Sequence, residues 1–422
     1  MKKTFTLIAV AMFFGTININ AQCTGDRYKM QIFSGFDITS DILYGNNISY
    51  TGSSEDLTLD VYEPAGDTET NRPLMIICHG GNFTSGSKTG SDVVPLAEDI
   101  TKMGYVVASI NYRLGFEGIG SPGTLDSITA TETVVRAVHD YRAAIRYFKK
   151  DFSENGNTYG IDTSLIFASG VSAGAITAVH VGYMDQASEI PTYIDTNKVG
   201  LGGGIEGISG NQGYSSNIAG VINIAGAIRD TSWINTNDTP ILSFHGDQDA
   251  TVPYGTDIIW LLGAFEIMRV DGSQSIHLRT NNVGITNCFL THYGAGHVPH
   301  VGSDLFKDTT LTYMSNFMSS IVCNETLNCS YDGTTVTNVA VSETLSYKTD
   351  IYPNPTSNFF RINSEVLIEE INIINLLGEI VATERNVNST SIEMQRNNIP
   401  SGVYLLTIKT VNGVKTQKIS FE

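Results

Sequence analysis

Residues 167–179 read FASGVSAGAITAV, and the fold turns on how Ser172 is read. The pattern G-x-S-x-G is short enough to recur by chance in a chain with 41 glycines. Its surroundings decide. The apolar run Leu165–Ala168 leads into Gly170-Val171-Ser172-Ala173-Gly174, and the helix formers Ala175, Ile176, Ala178 and Val179 follow. That order predicts strand, sharp turn, helix. Such a turn lifts a serine hydroxyl clear of a sheet, and glycines at 170 and 174 let strand and helix approach closely.

Working outward, apolar strand-like runs alternate with helical patterns from about residue 56 to 322. The runs are 57–64, 73–80, 105–112, 164–170, 220–227, 240–246 and 288–293. The earlier ones alternate; the later ones are nearly continuous apolar, as strands buried on both faces must be. Between them, TETVVRAVHDYRAAIRYFKK places Val134, Val138, Tyr141, Ile145 and Phe148 on one helical face. Strand–helix alternation of this kind predicts an α/β fold with a doubly wound, mostly parallel sheet. Residues 199–217, VGLGGGIEGISGNQGYSSN, are too rich in glycine for a helix. They read as an irregular insertion, either a wall of a site or a surface loop.

A serine hydroxyl is a weak nucleophile at neutral pH, so Ser172 needs a base, a group to orient that base, and donors for an oxyanion. His297, in YGAGHVPH after the last strand, is the expected base; His292 lies within the strand and His300 lies further on. In SFHGDQDATVPY two acids compete, and Asp249, deeper in the loop than Asp247, is the expected partner. Asp247 suits a loop cap instead. The strand 73–78 runs into His79-Gly80-Gly81-Asn82-Phe83, so the N–H groups of Gly81, Asn82 and Ala173 are the expected oxyanion donors. His79 and His245, each before a glycine at a strand end, read as architectural. The order Ser172, Asp249, His297 is that of α/β-hydrolases. Phe83, Tyr214, Trp233 and Tyr254 lie near these loops in sequence and are the candidate substrate contacts.

The whole chain sets the bounds. Its 422 residues are too many for one typical domain and suit two. A net charge of −18 without a basic cluster argues against nucleic acid and anionic membranes as partners. MKKTFTLIAVAMFFGTININAQ has Lys2 and Lys3, an apolar run too short to span a bilayer, and small residues ending at Ala21. This predicts a cleaved secretory signal over 1–21 and no integral membrane segment after its removal. Gln22 before Cys23 is a poor fit to a lipid-attachment site. Of the five cysteines, Cys78 sits in a strand pattern and reads as a buried thiol. Export permits disulfides among Cys23, Cys288, Cys323 and Cys329, whose pairing the spacing leaves open. None has zinc-finger spacing, so no structural metal is expected.

Residues 324–349 are polar and aperiodic, as in a linker. Beyond them, short alternating runs separated by turn residues predict a small all-β sandwich over 350–422.

The motifs ICHGG, SINYRLG, RAAIRYF, GVSAG, HGDQDATVPY and GAGH together resemble secreted carboxylesterases of the α/β-hydrolase fold, and most of all the bacterial branch related to feruloyl and acetylxylan esterases. The resemblance spans roughly residues 50–320, taking the catalytic domain as 22–323. It implies Ser172 as nucleophile, His297 as general base and Asp249 as its partner, with no cofactor. Many relatives have glycine where this chain has Asn82, which bears on the shape of the acyl pocket. YPNPTSNFF, INIINLLGEIV and GVYLLTIKTVNGVKTQKISFE resemble the type A sorting domain of the type IX secretion system. That implies passage through the periplasm, the secretion machinery as a partner, and a final place outside the cell or on its surface.

The leading expectation is a serine esterase acting on carboxylic esters, with acylated polysaccharide or polyester as candidate substrates. A peptidase of the same fold is one alternative, disfavoured because about 35 residues separate the signal from the first expected strand. A catalytically inactive polysaccharide-binding protein is the other, and all three triad residues being present argues against it.

Overall fold

The computed structural model describes residues 23–116, 127–261, 265–329, 348–375, 380–410 and 413–422. The expected signal, 1–21, and most of the expected linker lie outside these residues. The chain divides into two compact units, Met1–Val336 and Thr337–Glu422.

The first unit runs β1 (Phe36–Ile48), β2 (Ser54–Pro64), β3 (Arg72–Cys78), α1 (Val94–Thr101), β4 (Val106–Ile110), α2 (Ser127–Glu154), β5 (Ile161–Val171), α3 (Ala173–Tyr183), β6 (Gly220–Ile224) and β7 (Ala227–Ile228). It continues through β8 (Ile241–Gly246), β9 (Thr256–Leu261), β10 (Phe265–Gly272), α4 (Ser273–Val283), β11 (Asn287–His292) and α5 (Asp304–Val322). Eight strands form one sheet in the order β1-β2-β4-β3-β5-β6-β8-β11. β1 and β2, and β2 and β4, pair antiparallel; every later neighbour is parallel. This is the doubly wound, mostly parallel sheet of an α/β-hydrolase.

The period of two explains the layering. Alternate residues of β3 feed opposite cores: Leu74, Ile76 and Cys78 pack with Val138, Tyr141 and Ile145 of α2 on one face. Met75 and Ile77 pack with Leu96 and Ile100 of α1 and Met314 and Phe317 of α5 on the other. Every residue of β3, β4, β6 and β8 is buried, which is why those segments read as unbroken apolar runs.

Seven of the eight sheet strands coincide with the expected runs. β1 was not expected from the sequence: it is an edge strand, broken by register shifts at Thr39/Ile42 and Leu43/Gly45, with its outer face open to solvent. Nor was the separate three-stranded sheet β7-β10-β9, in which β7 follows β6 and the β9–β10 hairpin lies between β8 and α4.

Two disulfides join Cys23 to Cys323 and Cys288 to Cys329, and Cys78 is a free, fully buried thiol. The Cys288–Cys329 bridge ties residues 324–329, read from composition as the start of the linker, back to β11.

The second unit is all-β and antiparallel: β12 (Thr349–Tyr352), β13 (Phe359–Ile374), β14 (Ile380–Gln395), β15 (Gly402–Thr410) and β16 (Gly413–Phe421). β13 pairs with β14, with β12 along its first half and with β15 along its second, and β16 pairs with β15. Phe360, Ile362, Ile371, Leu406, Ile408 and Ile419 form its core.

Candidate active site

Ser172 sits between the end of β5 and the first residue of α3, at φ 54° and ψ −117°. A non-glycine residue there stores on the order of 1–3 kcal/mol of strain. The surroundings hold it in place. The Ser172 N–H donates to the Ile224 carbonyl at 2.9 Å. A Cβ on Gly170 would lie 2.2 Å from the Gly174 carbonyl, and one on Gly174 would lie 2.0 Å from the Cys78 carbonyl oxygen. No side chain fits at either glycine, because β3, β5 and α3 converge there.

His297 hangs from the loop after β11. Its Nε2 is 2.8 Å from Ser172 Oγ and its Nδ1 is 2.6 Å from Asp249 Oδ2. With Nδ1–H donating to the carboxylate, Nε2 is the acceptor for the serine proton. Asp249, in the loop after β8, has a fully buried side chain. Its Oδ1 accepts from the N–H groups of Thr251 (2.8 Å) and Val252 (3.0 Å), while His245 Nε2 stands 3.2 Å from Oδ2. Burial pushes the Asp249 carboxyl up, but the hydrogen bonds from His245 and His297 outweigh it and hold it well below the usual carboxylate range.

The competing residues have other partners. Asp247 accepts from the Gly294 N–H at 2.6 Å and so clips the loop after β8 to the loop after β11. His292 is buried between Phe244 and Phe306, which lowers its pKa to about 4. His300 Nε2 meets the Asp92 carbonyl at 3.1 Å. His79 stacks on Tyr112 at 4.6 Å and is buried, with its pKa lowered by desolvation. His245 also bonds Ser273 Oγ, at 2.7 Å, but Ser273 is completely buried. Two histidines therefore share Asp249, and the one facing an accessible serine is His297.

The turn after β3 lies against the serine. A Cβ on Gly80 would be 3.2 Å from Ser172 Cβ, and Gly81, Asn82 and Phe83 follow at φ 105°, 54° and 59°. Gly81 also turns its carbonyl to the N–H groups of Thr84 and Ser85, at 2.9 and 3.1 Å. Asn82 and Ala173 line the same cavity as Ser172.

Residues 59–228 match the BD-FAE family model. The match contains the 79–83 turn and Ser172, and stops before Asp249 and His297. Residues 350–422 match the model of the secretion system C-terminal sorting domain. Gut esterase 1 of Caenorhabditis briggsae is 35% identical over 127 residues, 30% of this chain and 21% of that protein. The probable N-octanoylanthranilate hydrolase AqdA2 of Rhodococcus erythropolis is 31% identical over 157 residues, 35% of this chain and 30% of that protein. The matched stretches thus span less than a third of these curated relatives. Among solved structures, Thermogutta terrifontis esterase 2 phosphorylated by paraoxon aligns with a TM-score of 0.46 and 21% identity, covering 68% of this chain and 95% of that one.

Around the serine of this BD-FAE-like segment the cavity is almost wholly apolar. Phe83 and Trp233, expected as substrate contacts, are on its wall. Tyr214 and Tyr254 are not. The Tyr214 hydroxyl donates to the Glu154 carboxylate at the last residue of α2, whereas the cavity is lined by Ala130–Val135 near its start, roughly 28 Å away along the helix. Tyr254 is held behind the acid, its hydroxyl 2.6 Å from Thr291 Oγ1 and its ring against His245 and Phe289. Proximity in sequence to a catalytic loop misled for both. The walls that composition did not reveal come from the start of α2 and from the β9–β10 hairpin, through Ile259, Ile267, Met268 and Val270.

The glycine-rich segment 199–217 is neither a wall of this cavity nor a loose loop. It covers the outer face of α2. Arg113, His139, Arg142 and Arg146 donate to the carbonyls of Gly200, Gly204, Ile205 and Glu206 at 2.6–2.8 Å, and Ser209 Oγ donates to Asp140 at 2.5 Å. Among the described residues no cluster of three or more His, Cys, Asp or Glu could hold a metal ion, and no helix is long and apolar enough to cross a membrane.

Proposed function

We propose that this protein is a secreted serine esterase that hydrolyses carboxylic esters through an acyl-enzyme. The observation that carries the reading is the relay from Asp249 to His297 to Ser172 at 2.6 and 2.8 Å, with Ser172 opening on the cavity. Ser172 Oγ attacks the ester carbonyl as His297 Nε2 takes its proton. The N–H groups of Ala173 and Asn82, with Gly81 shaping the turn behind them, receive the oxyanion. The tetrahedral adduct collapses, and His297 returns the proton to the leaving alcohol. Water then attacks the acyl-enzyme by the same route and frees the acid. Asp249, kept ionised, stabilises the imidazolium formed at each step.

The apolar wall favours an ester with an apolar acyl or aryl group over a bare acetyl ester. A polysaccharide chain bearing such an ester would have to lie outside the cavity, on its rim. The match of 350–422 to the sorting-domain model supports export through a type IX secretion system to the surface or the medium.

The test is covalent. Paraoxon added to the purified protein is expected to add one diethylphosphoryl group, located on Ser172 by peptide mass spectrometry, with loss of p-nitrophenyl butyrate hydrolysis in step. Labelling elsewhere, or none while the ester is still hydrolysed, would sink the assignment. An anilide beside the ester separates the esterase from a peptidase.

A further inference from the structure

Arg229 is the one permanently charged side chain lining the Ser172 cavity among the described residues. It follows β7 and stands beside β10, which forms part of the wall. Its guanidinium has one hydrogen bond, a long one of 3.4 Å from Nη1 to the Arg269 carbonyl, and no carboxylate among the described residues pairs with it. The acids nearest in sequence and across the strands are engaged elsewhere. Asp230 accepts from the Ser232 N–H at 2.8 Å. Asp271 takes Thr231 N and Oγ1 at 2.9 Å each through Oδ2, and Thr256 Oγ1 at 2.6 Å through Oδ1. Its polar neighbour on the wall, His180, is satisfied as a neutral ring: Nδ1 bonds the Ile176 carbonyl at 2.7 Å and Nε2 accepts the Arg229 N–H at 3.3 Å. A guanidinium presents five donors in a planar fork that matches a carboxylate. Here the residue that carries that fork lines an apolar chamber with Ser172 in the same wall.

We propose that Arg229 selects esters whose apolar body carries a carboxylate, such as half-esters of dicarboxylic acids or esters of carboxyphenols. The proposal rests on the esterase reading above. A charge-assisted, two-point contact in a partly desolvated site discriminates by about tenfold or more over a neutral isostere.

The test uses the full secreted chain and matched pairs of substrates: mono-4-nitrophenyl adipate against 4-nitrophenyl hexanoate, and the carboxyphenyl butyrates against phenyl butyrate. The readout is the ratio of kcat/KM, charged over neutral. For at least one pair this ratio should fall about tenfold or more in Arg229→Gln, through KM, and recover in part in Arg229→Lys. Raising the salt should lower the ratio in the wild type, because the contact is ionic. A ratio that is the same within twofold in wild type and Arg229→Gln for every pair would overturn the proposal and leave Arg229 as a rim residue. If Arg229→Gln does not fold, a salt-independent wild-type ratio overturns it equally. A wild type that hydrolyses neither member of any pair would overturn the esterase reading as well, which a normal rate on the neutral esters alone would not.

Discussion

Two glycine-rich regions of the first unit look alike in sequence and do opposite things. Around Ser172, glycines 80, 81, 170 and 174 remove side chains so that three backbones converge and a reactive hydroxyl is pushed outward. In 199–217, glycines let a backbone lie flat on α2 so that its carbonyls can take donors from buried arginines. Arg113, Arg142 and Arg146 are all almost fully buried, a state a cation tolerates only when carbonyls and carboxylates surround it. In the esterase reading proposed above the first region's strain serves chemistry, and the second is architecture. The comparison shows that glycine content marks close backbone approach and says nothing about what approaches.

It can be broken or sharpened. The largest expected effect is on rate: Ser172→Ala should lower p-nitrophenyl butyrate hydrolysis by at least about 10³-fold with the melting temperature nearly unchanged. A loss below tenfold would remove Ser172 from the chemistry. Next is Asp140→Ala. It leaves Arg113, whose Nε and Nη2 reach that carboxylate at 2.8 and 2.7 Å, as an unpaired buried charge. Denaturant unfolding should show a loss of about 3–5 kcal/mol, with kcat kept in the protein that remains folded. A fall in kcat as large as the fall for Ser172→Ala would join the two regions and end the contrast.

Acid should act on both regions. Burial lowers the pKa of His139, under the glycine-rich cover, and of His180, beside the cavity, to about 4 in each case. The folded pKa lies below the unfolded value of about 6.5, so below pH 6.5 the unfolded chain binds more protons. Stability should therefore be intact above about pH 6.5, fall as pH drops towards 4, and level off below, each histidine contributing up to ~3 kcal/mol. Thermal melts across this range should lose about half of this pair's slope in His139→Gln; an unchanged slope would mean that His139 is accessible to solvent. The smallest effect is at Gly207, at φ +65°, where a Cβ would lie 2.2 Å from the His139 ring. Gly207→Ala should cost about 1–3 kcal/mol and leave kcat/KM untouched. No loss of stability would show that the cover can lift there.

Much of the fold was legible in the sequence because its signals are local. Fully buried parallel strands read as apolar runs, and the strand–turn–helix around Ser172 showed in its glycines and the helix formers after it. β1 and the β9–β10 hairpin were not legible, since an irregular edge strand with one exposed face has no clean period. Within the site, Ser172, Asp249 and His297 were picked out by their places at strand ends. His245 was read as architectural, and its contacts with Asp249 and the buried Ser273 were invisible, because Ser273 lies 28 positions away and opens another helix. Tyr214 and Tyr254 failed for the same reason in reverse: they are near the loops along the chain and turned away from the cavity.

By itself, then, the sequence determined where most of the buried strands and helices lie along the chain and the turn that presents Ser172, since periodicity and turn chemistry act over a few residues. Only the tertiary structure decided which histidine meets the serine, which cysteines pair, that 199–217 covers α2, and that an unpaired Arg229 borders an apolar chamber. Each of those depends on side chains brought together from distant parts of the chain, where packing and the need to satisfy buried polar groups choose among partners that composition leaves equivalent.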